Sequence, residues 1–257
     1  MTVRYSREGP VAWLTIDRPE ARNALSAAVR EGLWAGVRRF NADDAAVLVL
    51  TGTGDKAFCA GGDLKEMAAS ELTVPPPDFL PQFGRNVEVS KPTIAAVNGV
   101  AFAGGFLLAQ QCDLVVAAEH ATFAVSEVKV GRGSPWAAPL PWLVGPRVAA
   151  EILLTGDPVT AQRAYEIGLV NRVVPADQLH EHAQALAARA QVIGQESLGA
   201  AEQPEQAGLG QRAQHGVVQL VQRRQVAGRE RTQVVARRQR ACRHEELPLL
   251  ASPISSA

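Results

Sequence analysis

The strongest constraint on this chain is the run at residues 91–109, Lys-Pro-Thr-Ile-Ala-Ala-Val-Asn-Gly-Val-Ala-Phe-Ala-Gly-Gly-Phe-Leu-Leu-Ala. Thr93 to Val97 is a short apolar and β-branched stretch that stops at Asn98-Gly99, the pattern of a buried strand closing on a turn. Ala103-Gly104-Gly105 follows, and an apolar helical stretch begins beyond it. A strand that ends at glycines before a helix leaves backbone N–H groups without helical partners. Glycine lets a reacting atom approach the backbone closely, so these N–H groups suit an oxygen that gains negative charge. A membrane span is the poorer reading, because Asn98 and the glycines interrupt the run and a span needs ~20 clean residues.

Residues 46–67 repeat the arrangement. Ala46 to Gly52 reads as a second buried strand, and Gly54-Asp55-Lys56-Ala57 leads into Phe58-Cys59-Ala60-Gly61-Gly62-Asp63-Leu64-Lys65-Glu66-Met67. Asp63 is placed to cap the helix that starts there or to favour its positive end. Two N–H sites, one from each unit, can grip one oxyanion from two sides.

These residues carry a resemblance. Segments 58–67 and 96–113 resemble the two oxyanion-hole motifs of the crotonase family, also called the enoyl-CoA hydratase/isomerase family. Arg-Pro-Glu-Ala-Arg-Asn-Ala-Leu at 18–25 resembles its amino-terminal signature, and segments 155–161 and 168–174 resemble later landmarks. The resemblance runs from about residue 3 to 190, and several motifs in the expected order make it specific. It implies an α/β fold, a spiral of repeated ββα units with parallel sheets, acting on an acyl- or enoyl-CoA thioester whose carbonyl oxygen gains charge as an enolate forms. By the same resemblance, the N–H groups of Ala60 and Gly104 form the oxyanion hole. The turn at Arg22 and Ala24 lines the nucleotide end of coenzyme A, with Ala60, Asp63 and Leu64 as further coenzyme A contacts. Glu127 matches the second of two catalytic glutamates, while Leu107 occupies the position of the first, three residues past Gly104. The resemblance also implies a homotrimer or hexamer, and no cofactor other than the coenzyme A carried by the substrate.

Two glutamates usually share the work of hydration, which needs a positioned water and a proton donor for C2. Moving a double bond needs one base that removes a proton and returns it elsewhere. Glu127 alone therefore fits isomerisation better than efficient hydration, with a weaker hydratase or a nearly inactive acyl-CoA binder as the alternatives.

Other function classes fit less well. Lys plus Arg equals Asp plus Glu at 26 each, which argues against a dedicated nucleic-acid binder. No strand is followed by G-x-G-x-x-G, and residues 52–56 lack Walker spacing. Three cysteines without metal-ligand spacing, and a start without the apolar core of a signal peptide, point to a reducing cytoplasm.

Elsewhere, residues 11–17 alternate as a strand, and Ser26 is a candidate N-cap for a helix to about Phe40 with Leu33, Trp34, Val37 and Phe40 on its core side. Residues 71–85, with Pro75-Pro76-Pro77, read as an irregular insertion that the resemblance places beside the acyl pocket. Segments 112–118 and 121–125 read as strands, so strands and helices alternate in a parallel, right-handed crossover pattern. Glu127 lies beside Val125 and Val128. Its carboxyl is either raised in pKa by apolar surroundings or paired with Lys129 or Arg132. Two tryptophans and three prolines in 134–142 read as a rigid aromatic wall, packing rather than chemistry. Cys59 reads as a buried core thiol and His120 as a turn residue, neither with a role. Helices are expected at 145–154, after the Thr160 N-cap, and over 177–189, with a strand at 169–174.

The chain thus divides into a core at 1–190 and a tail at 191–257. The tail holds eleven Gln, nine Arg, six Glu and no Lys, a formal +3 against −3 for the rest, and no aromatic residue follows Tyr165. Nothing in it resembles the family's carboxy-terminal helices. A shifted reading frame accounts for the change, and the coding DNA tests it; a divergent, disordered extension is the alternative. Interspersed Glu and Gln argue against a basic nucleic-acid arm.

Overall fold

The computed structural model describes residues 2–69 and 75–202, with 192–202 described by their backbone alone. The readings made of the tail from 203 onward, and of residues 70–74, lie outside the described residues.

Two antiparallel strands, β1 (Val3–Glu8) and β2 (Val11–Ile16), open the chain. The helix α1 (Ala27–Ala42) follows, capped by Ser26, whose side chain accepts from the Val29 N–H at 3.4 Å. Three strand pairs then come in succession. The first is β3 (Val47–Gly52) with β4 (Ala57–Cys59), followed by the short helix α2 (Leu64–Ala69). Next are β5 (Thr93–Val97) and β6 (Val100–Phe102), followed by α3 (Gly104–Gln110). The third pair is β7 (Leu114–Ala118) with β8 (Thr122–Ala124). The chain continues through α4 (Leu140–Val144), α5 (Pro146–Thr155), β9 (Val159–Thr160), α6 (Ala161–Glu166) and β10 (Arg172–Val174) to the long α7 (Leu179–Glu202).

The first strand of each pair enters one sheet and the second enters another. The large sheet runs β1-β2-β3-β5-β7-β10 and is parallel from β2 onward; the small sheet runs β4-β6-β8-β9 and is parallel except at β9. This is the α/β, mostly parallel architecture expected from the alternating pattern. The large sheet is buried on both faces, which explains why its strands read as continuous apolar runs. One face carries Leu14, Leu48, Leu50, Ala95 and Val97 into the main core, with Val29, Leu33, Val37 and Phe40 of α1. Alternate residues Trp13, Val47, Val49, Ile94 and Val116 face a second core, closed by Leu179, Ala183 and Ala187 of α7.

Four strands were not anticipated, β1, β4, β6 and β9. β1 exposes most of its residues, so its sequence lacks apolar alternation. β6 has three residues and follows Asn98-Gly99 directly, so it passes for the approach to the helix. The expected helix at 177–189 instead begins at Leu179, after a 3-10 turn at Ala176–Gln178, and continues to Glu202. The stretch 75–92 is irregular, as its prolines require.

Two buried asparagines hold the β3–β4 connection. Asn98 Nδ2 donates to the carbonyls of Gly54 (2.7 Å) and Ala57 (3.2 Å), and its Oδ1 accepts from the Gly52 N–H (3.2 Å). Asn23 Nδ2 donates to the carbonyls of Thr53 (3.1 Å) and Ala57 (2.7 Å), and its Oδ1 accepts from the Arg18 N–H (2.9 Å). Asn98→Ala leaves these backbone groups without their side-chain partner and is expected to destabilise the protein by about 2 kcal/mol in urea unfolding. An unchanged midpoint would show that the clasp carries no stability.

Candidate active site

Because β4, β6 and β8 are parallel neighbours, the segments that follow them emerge side by side. Cys59 is paired with Ala101, and Ala101 with Phe123. Three residues past Cys59 is Gly62, three past Ala101 is Gly104, and four past Phe123 is Glu127. The topology therefore gathers both glycine segments and the candidate acid/base at one end of the small sheet.

The glycine segments touch. Gly61 has φ +97°, and a Cβ there would lie 2.9 Å from Ala103 Cβ, 3.1 Å from the Phe102 carbonyl oxygen and 3.7 Å from the Gly104 nitrogen. Only glycine combines this φ with this approach. The Gly104 N–H belongs to the first turn of α3, where amides have no helical partner. It is oriented by Ala103, whose φ of 50° and ψ of −118° are costly for a residue with a Cβ, on the order of 1–3 kcal/mol. Such strain at a non-glycine residue is commonly found at functional sites.

The first amide is not the one expected. The Ala60 N–H donates to the Arg22 carbonyl at 3.1 Å, so it holds the 18–25 turn instead of facing a ligand. Next to this contact, the Leu25 N–H donates to the Gly61 carbonyl at 2.8 Å. In a trans peptide the N–H points opposite to the C=O, so the Gly62 N–H faces away from Leu25. Gly62 is therefore the amide that this segment can offer beside Gly104.

Glu127 sits in a 3-10 turn, Ser126–Val130. Its Oε1 accepts from Trp136 Nε1 at 2.7 Å, while its Oε2 is buried with no hydrogen-bond partner. Burial raises the carboxyl pKa, and the Trp136 hydrogen bond pulls it partly back down. The ion-pair alternative does not hold. Lys129 pairs with Asp157 at 3.0 Å, and among the described residues Arg132 meets Glu127 through its backbone N–H alone, 2.9 Å from the Glu127 carbonyl. Trp136 packs edge-on against Phe106 of α3, centroids 5.8 Å apart, and its carbonyl accepts from Gln110 Nε2 at 3.1 Å. The aromatic wall is thus part of the candidate site, but Trp142 is not part of a wall, being 62 % exposed. Leu107, also on α3, is 4 % exposed and belongs to the main core.

A cavity of about 300 Å³ opens beside the 18–25 turn, lined by Pro19, Glu20, Arg22, Asn23 and residues 53–57. Arg22 and Asn23 form it with consecutive left-handed φ values of 52° and 55°. Of the five residues expected to contact coenzyme A, Arg22 lines this cavity, and Lys56 adds a second cation. Ala24, Ala60, Asp63 and Leu64 lie outside its lining. Asp63 is occupied: its Oδ2 takes the Arg18 guanidinium at 2.6 Å and its Oδ1 accepts from the Lys65 and Glu66 N–H groups. The Arg18 contact holds its pKa below the ordinary carboxylate range. Leu64 is 79 % exposed. Cys59 is a buried thiol pushed up to about 12 by burial, and burial also raises Cys112. His120 lies in an exposed turn with Nε2 2.8 Å from the Asp55 carbonyl oxygen. Among the described residues, no helix is long and apolar enough to cross a membrane.

Gly62 and Trp136 are the site residues that sequence reasoning missed. The cue for Trp136 was its short separation from Glu127, and that spacing by itself says nothing of direction.

A family model described as enoyl-CoA hydratase/isomerase matches residues 6–226, beyond the last quoted motif. The carnitinyl-CoA dehydratase of Salmonella typhi is 41 % identical over 193 residues, 72 % of this chain and 73 % of that protein. The crystal structure of an enoyl-CoA hydratase from Mycobacterium tuberculosis is 33 % identical, with a TM-score of 0.73 over 94 % of this chain and all of that one. That of an enoyl-CoA hydratase from Bacillus anthracis is 29 % identical, with a TM-score of 0.72 over 89 % and 90 % of the two chains.

Proposed function

Because this chain belongs to the enoyl-CoA hydratase/isomerase family, we propose that it adds water to, or withdraws it from, an acyl-CoA thioester through an enolate, with Glu127 as acid and base. The observation that carries this reading is the half-buried Glu127 carboxyl, anchored at Oε1 by Trp136, with Oε2 buried and unpartnered and no cation beside it among the described residues. Burial raises its pKa, which favours a carboxyl that takes up a proton and gives it back. The thioester oxygen is received by the Gly104 and Gly62 N–H groups, and losing one such donor costs about 3 kcal/mol of transition-state stabilisation. The cavity with Arg22 and Lys56 suits the phosphate-bearing nucleotide end of coenzyme A.

Double-bond migration is the second reading, favoured by Leu107, whose side chain has no polar atom to hold water. Assay with 2-enoyl and 3-enoyl thioesters separates the two. Conversion of the 2-enoyl substrate to the hydroxyacyl product supports hydration, and interconversion of the enoyl isomers alone supports migration. Tight thioester binding without turnover would reduce the protein to a binder.

Trp136→Phe keeps the packing on Phe106 and removes the hydrogen bond to Glu127. That bond lowers the carboxyl pKa, so its loss moves the acid limb of the pH–rate profile to higher pH. A drop of about fivefold in kcat is expected with KM little changed. An unmoved acid limb would mean that Trp136 does not act on the catalytic proton.

A further inference from the structure

We propose that Gln110, the last residue of α3, is a positioning residue for the Glu127 carboxyl and acts on it through Trp136. The inference rests on the reading of Glu127 as acid and base and adds a residue to it.

Two hydrogen bonds run in series. Gln110 Nε2 donates to the Trp136 carbonyl at 3.1 Å, and the indole N–H of the same Trp136 donates to Glu127 Oε1 at 2.7 Å. A second contact joins α3 to this tryptophan. Phe106, one turn earlier on the helix, is fully buried and meets the Trp136 ring edge-on, centroids 5.8 Å apart. The ring contact limits how close the indole comes. The Gln110 bond fixes the backbone from which the indole projects. Gly104 is the first residue of the same helix, so the tie also sets Trp136 relative to the candidate oxyanion amide.

The Gln110 side chain has no other described use. It is 5 % exposed, and among the described residues its one hydrogen-bond partner is the Trp136 carbonyl. A carbonyl oxygen only accepts, so the Gln110 amide turns its NH2 toward Trp136 and its oxygen away. That oxygen, Oε1, is buried and has no hydrogen-bond partner among the described residues. Packing alone is served as well by an apolar side chain of the same shape, which leaves no buried acceptor unpartnered. The donor toward Trp136 is therefore what a glutamine adds at this position.

Without that donor, the turn Pro135–Ala137 keeps Ala137 buried and the Trp136 ring against Phe106, but loses the polar tie that aims the indole N–H. The Glu127 carboxyl then loses part of the bond that favours its ionised form, and it takes up its proton at higher pH. No charged side chain among the described residues offsets this change. Lys129, two residues from Glu127, is paired with Asp157. Because Gln110 acts only through the indole, its removal does no more than removal of the indole N–H itself.

The test is a double-mutant cycle in the full chain, read with whichever of 2-butenoyl-CoA and 3-butenoyl-CoA the wild type turns over. Gln110→Met is close in shape and has no donor. It is expected to lower kcat by about three- to fivefold with KM within about twofold, and to move the acid limb of the pH–rate profile upward, no further than Trp136→Phe does. Added to Trp136→Phe, it is expected to change kcat by less than about 1.5-fold and to leave the acid limb in place. If Gln110→Met does not fold, Gln110→Asn, whose amide stops one methylene short of the carbonyl, is read in the same way. An unmoved acid limb overturns the proposal, and so do effects that multiply in the double variant, as two unconnected structural losses would. Glu127→Gln is measured alongside. If it loses turnover while Gln110→Met leaves the acid limb unmoved, this inference alone fails. If it retains turnover, or if the wild type turns over neither thioester, the acid and base reading fails and this inference with it.

Discussion

Glu127→Gln should lower enoyl-CoA turnover by about 10²–10⁴-fold, the usual contribution of a positioned acid/base, while thioester affinity stays near wild type. The amide is isosteric, and its oxygen still accepts from Trp136 Nε1, so the turn around residue 127 keeps its anchor. The same variant should be more stable than wild type at neutral pH. Burial raises the Glu127 pKa in the folded state, so the native protein holds this proton to higher pH than the unfolded chain does. The contribution of Glu127 to stability is therefore fully present below the unfolded pKa and is lost as pH rises through the folded one. Glutamine never ionises and escapes that loss. Its advantage in melting temperature should appear near neutrality and shrink once pH falls below the ordinary glutamate value of about 4.3. Retained turnover would remove Glu127 from the mechanism, and a melting difference independent of pH would show that its charge is not buried at a cost.

Gly105→Ala should be the most damaging single methyl group in the chain. A Cβ at this position would lie 2.0 Å from the Cys59 carbonyl oxygen and 2.8 Å from its carbon, both backbone atoms that no rotamer change can move. Overpacking typically costs about 1–3 kcal/mol, and a collision with a strand backbone belongs at or above the upper end. The contact joins α3 to β4, so relief of the clash also moves the Gly104 amide, and turnover should fall together with stability. Gly133→Ala is the control, because a Cβ there meets no atom within 4 Å. Equal denaturation midpoints for the two variants would contradict the close packing of α3 on β4.

The sequence was most legible where burial acts on both faces of an element. Thr93 to Val97 is apolar or β-branched throughout because α7 covers one side of β5 and the main core the other, and the strand begins and ends where expected. Caps were legible for the same local reason: Ser26 and Thr160 satisfy amides only three residues away. β6 was not legible, because three residues carry no period and become a strand only through β4 and β8 on either side. The site divides along the same line. Gly104 and Glu127 were found from motifs contiguous in sequence. The choice between the Ala60 and Gly62 amides depends on Arg22 and Leu25, more than thirty residues upstream, which take up the Ala60 amide and the Gly61 carbonyl. Trp136 reaches Glu127 through a turn whose direction its proline and tryptophan residues do not encode.

The position of α7 makes the cover of four strands depend on a few small side chains. Leu179, Ala183, Leu186, Ala187 and Ala190 pack on the face of the large sheet opposite the main core. Gln184 adds a latch to Trp13 at 3.0 Å, and His180 stacks on the same indole, within this interval. A bulky or charged side chain at Ala183 or Ala187 would therefore pry the helix off β2, β3, β5 and β7 at once, although neither residue lies in a strand.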